Sequence, residues 1–148
     1  MSNITAIGEL LIDFTPSGKN ERGVQLFAEN PDGAPANVLA MAARLGGKTA
    51  FIGKVGRDAF GDFLRGVLIQ NGIDGSGLVA DGSVPTTLAF VQLDENGDRS
   101  FTFYRNPGAD RMLSAQEIKL TLIDDCRVFH FGSVSMTHEP SRNTTFYA

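Results

Sequence analysis

The chain has a single cysteine, Cys126, in 148 residues. It cannot close an internal disulfide, and no second thiol is present to complete a cysteine-bearing zinc site, which points to a reducing compartment. The chain also lacks any apolar run near the ~20 residues that a membrane-spanning helix needs. Its opening, Met1 to Gly8, does not have the basic-then-apolar order of a secretory leader. An excess of basic charge is missing too: 13 Lys and Arg stand against 17 Asp and Glu, a net charge of −4. Such a surface has no electrostatic reason to seek nucleic acid or anionic lipid, although local pockets can still hold anions. These absences read as a cytoplasmic protein without a nucleic-acid or membrane partner.

Phosphate-binding glycine loops are absent as well. The segment GGKT (46–49) resembles the end of a P-loop, but Ala42 stands where the motif needs its first glycine. That segment also leaves a helix to enter a strand, the reverse of the required context. GELLID lacks the glycine spacing of a dinucleotide fingerprint. No metal site is expected, because His130 alternates with Phe129 and Phe131 in a predicted strand, His138 follows in a loop, and neither has a ligand-spaced partner. Cys126 reads as a buried residue with no base near it to activate the thiol.

What is present is an ordinary globular composition, 42% hydrophobic and 20% charged, enough for one domain with a sizeable core. Residues 4–14, ITAIGELLIDF, predict a buried first strand ended by Thr15-Pro16, with Glu9 and Asp13 on one face. Residues 35–45 predict a helix, with Pro35 in its first turn and Gly46 as its stop. A strand follows over 49–55. Asp58 then caps a helix running through Asn71, whose apolar stripe is Phe60, Phe63, Leu64, Val67 and Leu68, and Gly72 ends it. Alternating strand and helix predicts an α/β fold with a mostly parallel sheet.

The middle of the chain changes character. TTLAFVQL (86–93), the turn DENGD and RSFTFYR (99–105) form an antiparallel hairpin pattern. With GVQLFAE (23–29) it makes a small second sheet, a lid inserted in the α/β core. SAQE (114–117) is a capping box opening a short helix, and RVFHFGSV (127–134) reads as a further buried strand. The last segment, EPSRNTTFYA, begins a helix with no terminator and little to bury. The expectation is therefore a truncated chain whose sheet continues in residues not present.

Two segments carry candidate chemistry. In PDGAPAN (31–37) a glycine turn runs into a helix N-terminus, where free N–H groups receive oxygen-rich ligands, and Asn37 offers both donor and acceptor to hydroxyls. An ordinary tight loop accounts for it as well. In RSFTFYR, Phe101, Phe103 and Arg105 share one strand face and Thr102 and Tyr104 the other, which suits either a water-excluding lid or a plain packed hairpin.

The segments GELLIDF, GAPANVLAMAARLGG, FIGKVGRDAFGDFL, FYRNPGAD and FHFGSVS resemble, in order and spacing, the PfkB-type carbohydrate kinases, also called the ribokinase-like family. The likeness covers nearly the whole chain, and the wording is most similar to the fructokinases of that family. One departure is Asp32-Gly33, where the family usually has two glycines.

The resemblance implies a ribokinase-like α/β core with a β-sheet lid and a sugar between them. Asp13 would accept hydrogen bonds from sugar hydroxyls, and Gly33 and Asn37 would close the other side. Phe101 and Phe103 would descend from the lid, with Arg105 near the polar end of the substrate and Ser133 and Met136 along the floor. ATP and Mg2+ are the implied cofactors, with a monovalent cation as a further one. The nucleotide site and the catalytic base, carried by a GAGD-type motif, fall outside these residues. The 148 residues alone are thus expected not to turn over substrate. The implied reaction is phosphorylation of fructose, with 2-keto-3-deoxygluconate, whose carboxylate Arg105 could pair, or ribose as the alternative sugar. A non-catalytic sugar-binding or dimerising fragment is the alternative class, and a homodimer through the lids is the implied assembly.

Overall fold

The computed structural model describes residues 2–93 and 98–148. Two four-stranded sheets organise it. The first is wholly parallel and contains β1 (Ser2–Ile7), β4 (Thr49–Gly56), β5 (Ile73–Asp81) and β8 (Cys126–Phe131) in the order β5-β4-β1-β8. The second contains β2 (Leu11–Lys19), β3 (Gln25–Asp32), β6 (Leu88–Leu93) and β7 (Arg99–Tyr104) in the order β3-β2-β6-β7. Helix α1 (Ala34–Arg44) leads from β3 of the second sheet to β4, and α2 (Ala59–Gln70) connects β4 to β5. A one-turn α3 (Thr121–Asp124) leads into β8, and α4 (Ser141–Tyr147) follows it. Most of the predicted turn DENGD lies outside the described residues.

The predicted single strand over 4–14 is two strands in different sheets. The chain leaves the core after Ile7 and enters the lid at Leu11. Apolar character runs through the crossing because Leu10 and Ile12 pack on the same core as Ala6, so hydropathy cannot mark the break. Pro16 does not end β2 either. Beyond Phe14 that strand pairs only with β3, so one backbone edge is free and the missing proline N–H forfeits no bond.

Three further expectations change. β8 is an edge strand, not a buried one: Val128 is 52% exposed and Phe131 51%. Phe63 drops out of the buried stripe of α2, which rests on Leu64 and Leu68. Helix α4 buries Ser141, Thr144 and Thr145, and the Thr144 hydroxyl donates to the Leu113 carbonyl at 2.8 Å. Small polar residues are buried there because main-chain carbonyls accept from them, a pairing that sequence spacing does not reveal. Residues 73–85, left unassigned by the sequence, supply β5.

The lid is fixed to the core through one of its faces. Phe14 stacks on Phe90 at 4.9 Å between ring centroids and meets Phe60 of α2 edge-on at 5.8 Å. Phe27 and Tyr104 extend this aromatic group, each edge-on to Phe90. Strand alternation sends the neighbouring residues, Asp13 on β2 and Phe101 and Phe103 on β7, to the opposite face.

The exit from the lid is also fixed. Lys54 on β4 bonds Asp81 at 2.9 Å and Glu117 at 2.8 Å, and donates to the Met112 carbonyl at 3.1 Å. Glu117 also completes the predicted capping box with Ser114, although the turn it opens, Ala115–Glu117, is 3-10. Burial opposes the Lys54 charge, yet its bonds to Glu117 and Asp81 hold its pKa above the ordinary lysine value. The backbone N–H of Ser83, then Lys54, depress the Asp81 carboxyl from 3.8 to about 2.

Replacing this cation leaves two carboxylates facing one another. Lys54→Met is expected to cost about 3 kcal/mol in urea unfolding at neutral pH. Because the folded pKa of Asp81 is depressed, its contribution is complete above 3.8 and is lost as pH falls toward about 2. Urea midpoints followed through that window should decline less steeply in the variant than in the parent protein.

Candidate functional site

The crossing between the two sheets builds the site. Glu9, in the link from β1 to β2, is 4% exposed, and its Oε1 accepts the N–H of Ala34 at 3.1 Å. That N–H opens α1, so the first orphan donor of the helix is satisfied by a carboxylate from another segment. Gly33 makes the turn before it with φ 144°, and a Cβ there would strike the Glu9 backbone carbonyl. Pro35 sits against Gly8 and Gly132, and side chains at either position would meet its ring. Three glycine-bearing motifs far apart in sequence therefore meet around one proline and one glutamate.

Between this junction and the free face of the lid lies a cleft of ≈ 230 Å³, lined by Asp13, Asp32, Gly33, Phe101, Phe103 and Arg105, with Glu9, Leu11 and Val134. Asp13, Ala89 and Phe103 lie side by side across β2, β6 and β7, and Val91 pairs with Phe101 in the next register position on that face. The rings of Phe101 and Phe103 stack at 5.9 Å. Both are about half exposed, which suits a cover over a ligand more than a packed core.

The other candidate residues lie elsewhere. Asn37 is exposed; its amide donates to Asp32 Oδ1 at 2.8 Å, and it lines a separate hollow of ≈ 170 Å³ on the outer side of that carboxylate. Ser133 precedes the 3-10 turn Val134–Met136, Met136 ends it, and of this segment Val134 reaches the cleft. Four lining residues were not selected from sequence: Glu9, Leu11, Asp32 and Val134. The signal for Glu9 was a carboxylate within an apolar run, on the face of Asp13. The signal for Asp32 was its place in the glycine turn.

The electrostatics are dominated by carboxylates. Burial raises the pKa of Glu9, against the opposing effect of its bonds to the backbone N–H groups of Glu9 and Ala34. Burial first, then repulsion from Asp32 and a hydrogen bond with it, raise that of Asp13. Arg105 does not offset them freely. Its Nε bonds Asp110 Oδ2 at 3.0 Å and its Nη2 bonds the same oxygen, while Thr87 donates to Oδ1. Asp110 is 5% exposed and Thr87 1%, so the guanidinium serves a buried anion.

The chain belongs to the pfkB family of carbohydrate kinases, whose family model matches residues 1–146. Within that class it is similar to the fructokinase of Solanum tuberosum, with 48% identity over 95% of this chain and 44% of that protein. Its structure is similar to that of a fructokinase from Xylella fastidiosa, with a TM-score of 0.91 and 39% identity, covering 97% of this chain and 45% of the other. A double mutant of the fructokinase of Vibrio cholerae O395, solved with fructose, ADP and potassium ion bound, gives a TM-score of 0.81 at 36% identity, covering 99% and 45%. The fold is thus the ribokinase-like one, a helix-flanked parallel sheet with a smaller second sheet. The chain spans less than half the length of these relatives.

Neither long helix presents an open N-terminus to a nucleotide. Glu9 occupies that of α1, and Asp58 occupies that of α2 through the Gly61 N–H at 2.8 Å. Among the described residues there is also no group of three or more His, Cys, Asp or Glu placed to hold a metal ion. These residues do not fit ATP phosphates or their Mg2+.

Arg105→Ala is expected to act on stability before it acts on any ligand. It strips a buried aspartate of its partner and should cost about 3 kcal/mol, read from urea unfolding, with Arg105→Lys recovering only part. A variant as stable as the parent protein would mean that Arg105 is free for another role.

Proposed function

We propose that the protein carrying this chain transfers the γ-phosphoryl group of ATP to a hydroxyl of a small neutral sugar, fructose first among them. In this reading the chain supplies the sugar cleft and its lid. The observation that carries it is the single cleft in which Asp13, Gly33, Phe101 and Phe103 come together, in a chain whose relatives are fructokinases. Carboxylate oxygens accept from the hydroxyls that a sugar presents in directional pairs, and aromatic rings cover its apolar faces. Excluding water under the lid keeps the phosphoryl group from hydrolysis. Positioning of this kind is most of what the protein must contribute, because phosphoryl transfer depends on alignment and charge stabilisation.

Asp13 holds the acceptor sugar and is not assigned as the base that deprotonates it. The base and the nucleotide cradle belong to a part of the protein outside this chain. Engagement of Arg105 by Asp110 supports a neutral sugar over 2-keto-3-deoxygluconate, whose carboxylate would need that guanidinium. The fully exposed row of β7 supports pairing of two copies through their lids.

Asp13→Asn should lower kcat/KM for fructose by at least 100-fold in the complete protein, with the unfolding midpoint nearly unchanged. A coupled assay of ADP release against fructose, ribose and 2-keto-3-deoxygluconate measures it. If the parent protein phosphorylates none of the three, the kinase reading is wrong.

A further inference from the structure

We propose that Asp32 is a second sugar-contacting carboxylate, acting as a pair with Asp13, and that the pair makes the cleft select neutral polyhydroxyl ligands over sugar acids. The proposal rests on the reading of the cleft as a sugar site, and it names the class of sugar that the site accepts.

Asp32 is the last residue of β3 and stands directly before the Gly33 turn. Its backbone pairs with Leu11, two residues before Asp13 on the adjacent strand, which puts the two carboxylates on one face. Both line the same cleft and are within hydrogen-bonding reach of each other. Asp32 is also held in place, because Oδ1 receives the Asn37 amide at 2.8 Å across the turn. Burial first, and then the neighbouring Asp32 charge, hold the Asp13 carboxyl above its ordinary value.

The surroundings decide the sign of the site. Glu9 adds a third carboxylate from the junction, and its Oε2 is buried without any hydrogen-bond partner. Arg105, from the end of β7, is neutralised by Asp110. Arg99 lies on β7 beside Asp13 in a neighbouring hollow, and Arg44 of α1 lines the hollow on the outer side of Asp32. The cleft itself is therefore rich in acceptors and poor in free cations. Ionised carboxylates only accept hydrogen bonds. A ligand that offers several hydroxyl donors satisfies them, including the orphan on Glu9, whereas a ligand carboxylate meets like charge.

The test uses Asp32→Asn, which keeps the acceptor for Asn37 and removes the charge. In the protein carrying this chain, calorimetry should show the parent preferring fructose to gluconate. The variant should reduce that preference about tenfold. Fructose affinity of the parent should fall as pH drops through the titration of Asp13, and in the variant, without the Asp32 charge, this inflection should move to lower pH. Carbon-13 NMR of the aspartate carboxyls without sugar gives an independent readout: the Asp13 midpoint should fall in the variant. Fructose binding with unchanged preference and unchanged inflection overturns the role of Asp32 and leaves the sugar site standing. A parent protein that binds no sugar at all removes the sugar reading, and this proposal with it.

Discussion

Glu9 sits where the chain passes from one sheet to the other, and the rest of the site is built outward from that point. Its carboxylate closes the N-terminus of α1 through Ala34, and its carbonyl leaves no space for a side chain at residue 33. Pro35 fills the notch between Gly8 and Gly132. A buried carboxylate is costly unless it is bonded, so the contact to the helix is what makes the crossing tolerable there. Once the crossing is fixed, β2 must run out along the lid. Asp13 then lies two residues beyond Leu11, on the free face of the lid, where it lines the cleft with Gly33.

The lid is held from its other face and at its far end. The aromatic group of Phe14, Phe90, Phe27 and Tyr104 meets Phe60, so the lid rests on α2 and leaves its opposite surface free for a ligand. After β7 the chain returns through the buried Arg105–Asp110–Thr87 group and the Lys54 cluster, which tie it to the residue before β6 and to β4. Ionic and aromatic anchors thus divide the work. The phenylalanines set the height of the lid, and the ion pairs set where its last strand ends. This places Phe101 and Phe103 over the carboxylates without asking the cover itself to be packed.

Much of the architecture could be read from residue order. Pro35, the cap at Asp58, the stripe of Leu64 and Leu68 and the hairpin pattern of β6 and β7 are local signals, and each led to the element found. Strand alternation likewise put Phe101 and Phe103 on one face before their partners were known. The signals failed where two environments share one hydropathy. ITAIGELLIDF is apolar on both sides of Glu9, because the core strand and the start of the lid strand both bury their residues, so hydropathy does not mark where one strand ends and the other begins. β8 fails for the opposite reason: its sequence is apolar, yet its place at the edge of the sheet leaves it half open.

Sequence by itself determined the class of fold and the family and marked five of the residues that line the cleft, because propensity, capping and alternation are local and the motifs stand in a fixed order. Only the tertiary structure decided which of them share a cleft. Asn37 is turned onto Asp32, Val134 takes the place expected for Ser133 and Met136, and Arg105 is committed to Asp110. Those outcomes depend on partners in other segments, and the sign of the cleft depends on them in turn. The glutamate in the first apolar run, placed by the sequence only on one face with Asp13, has its partner in a helix 25 residues away.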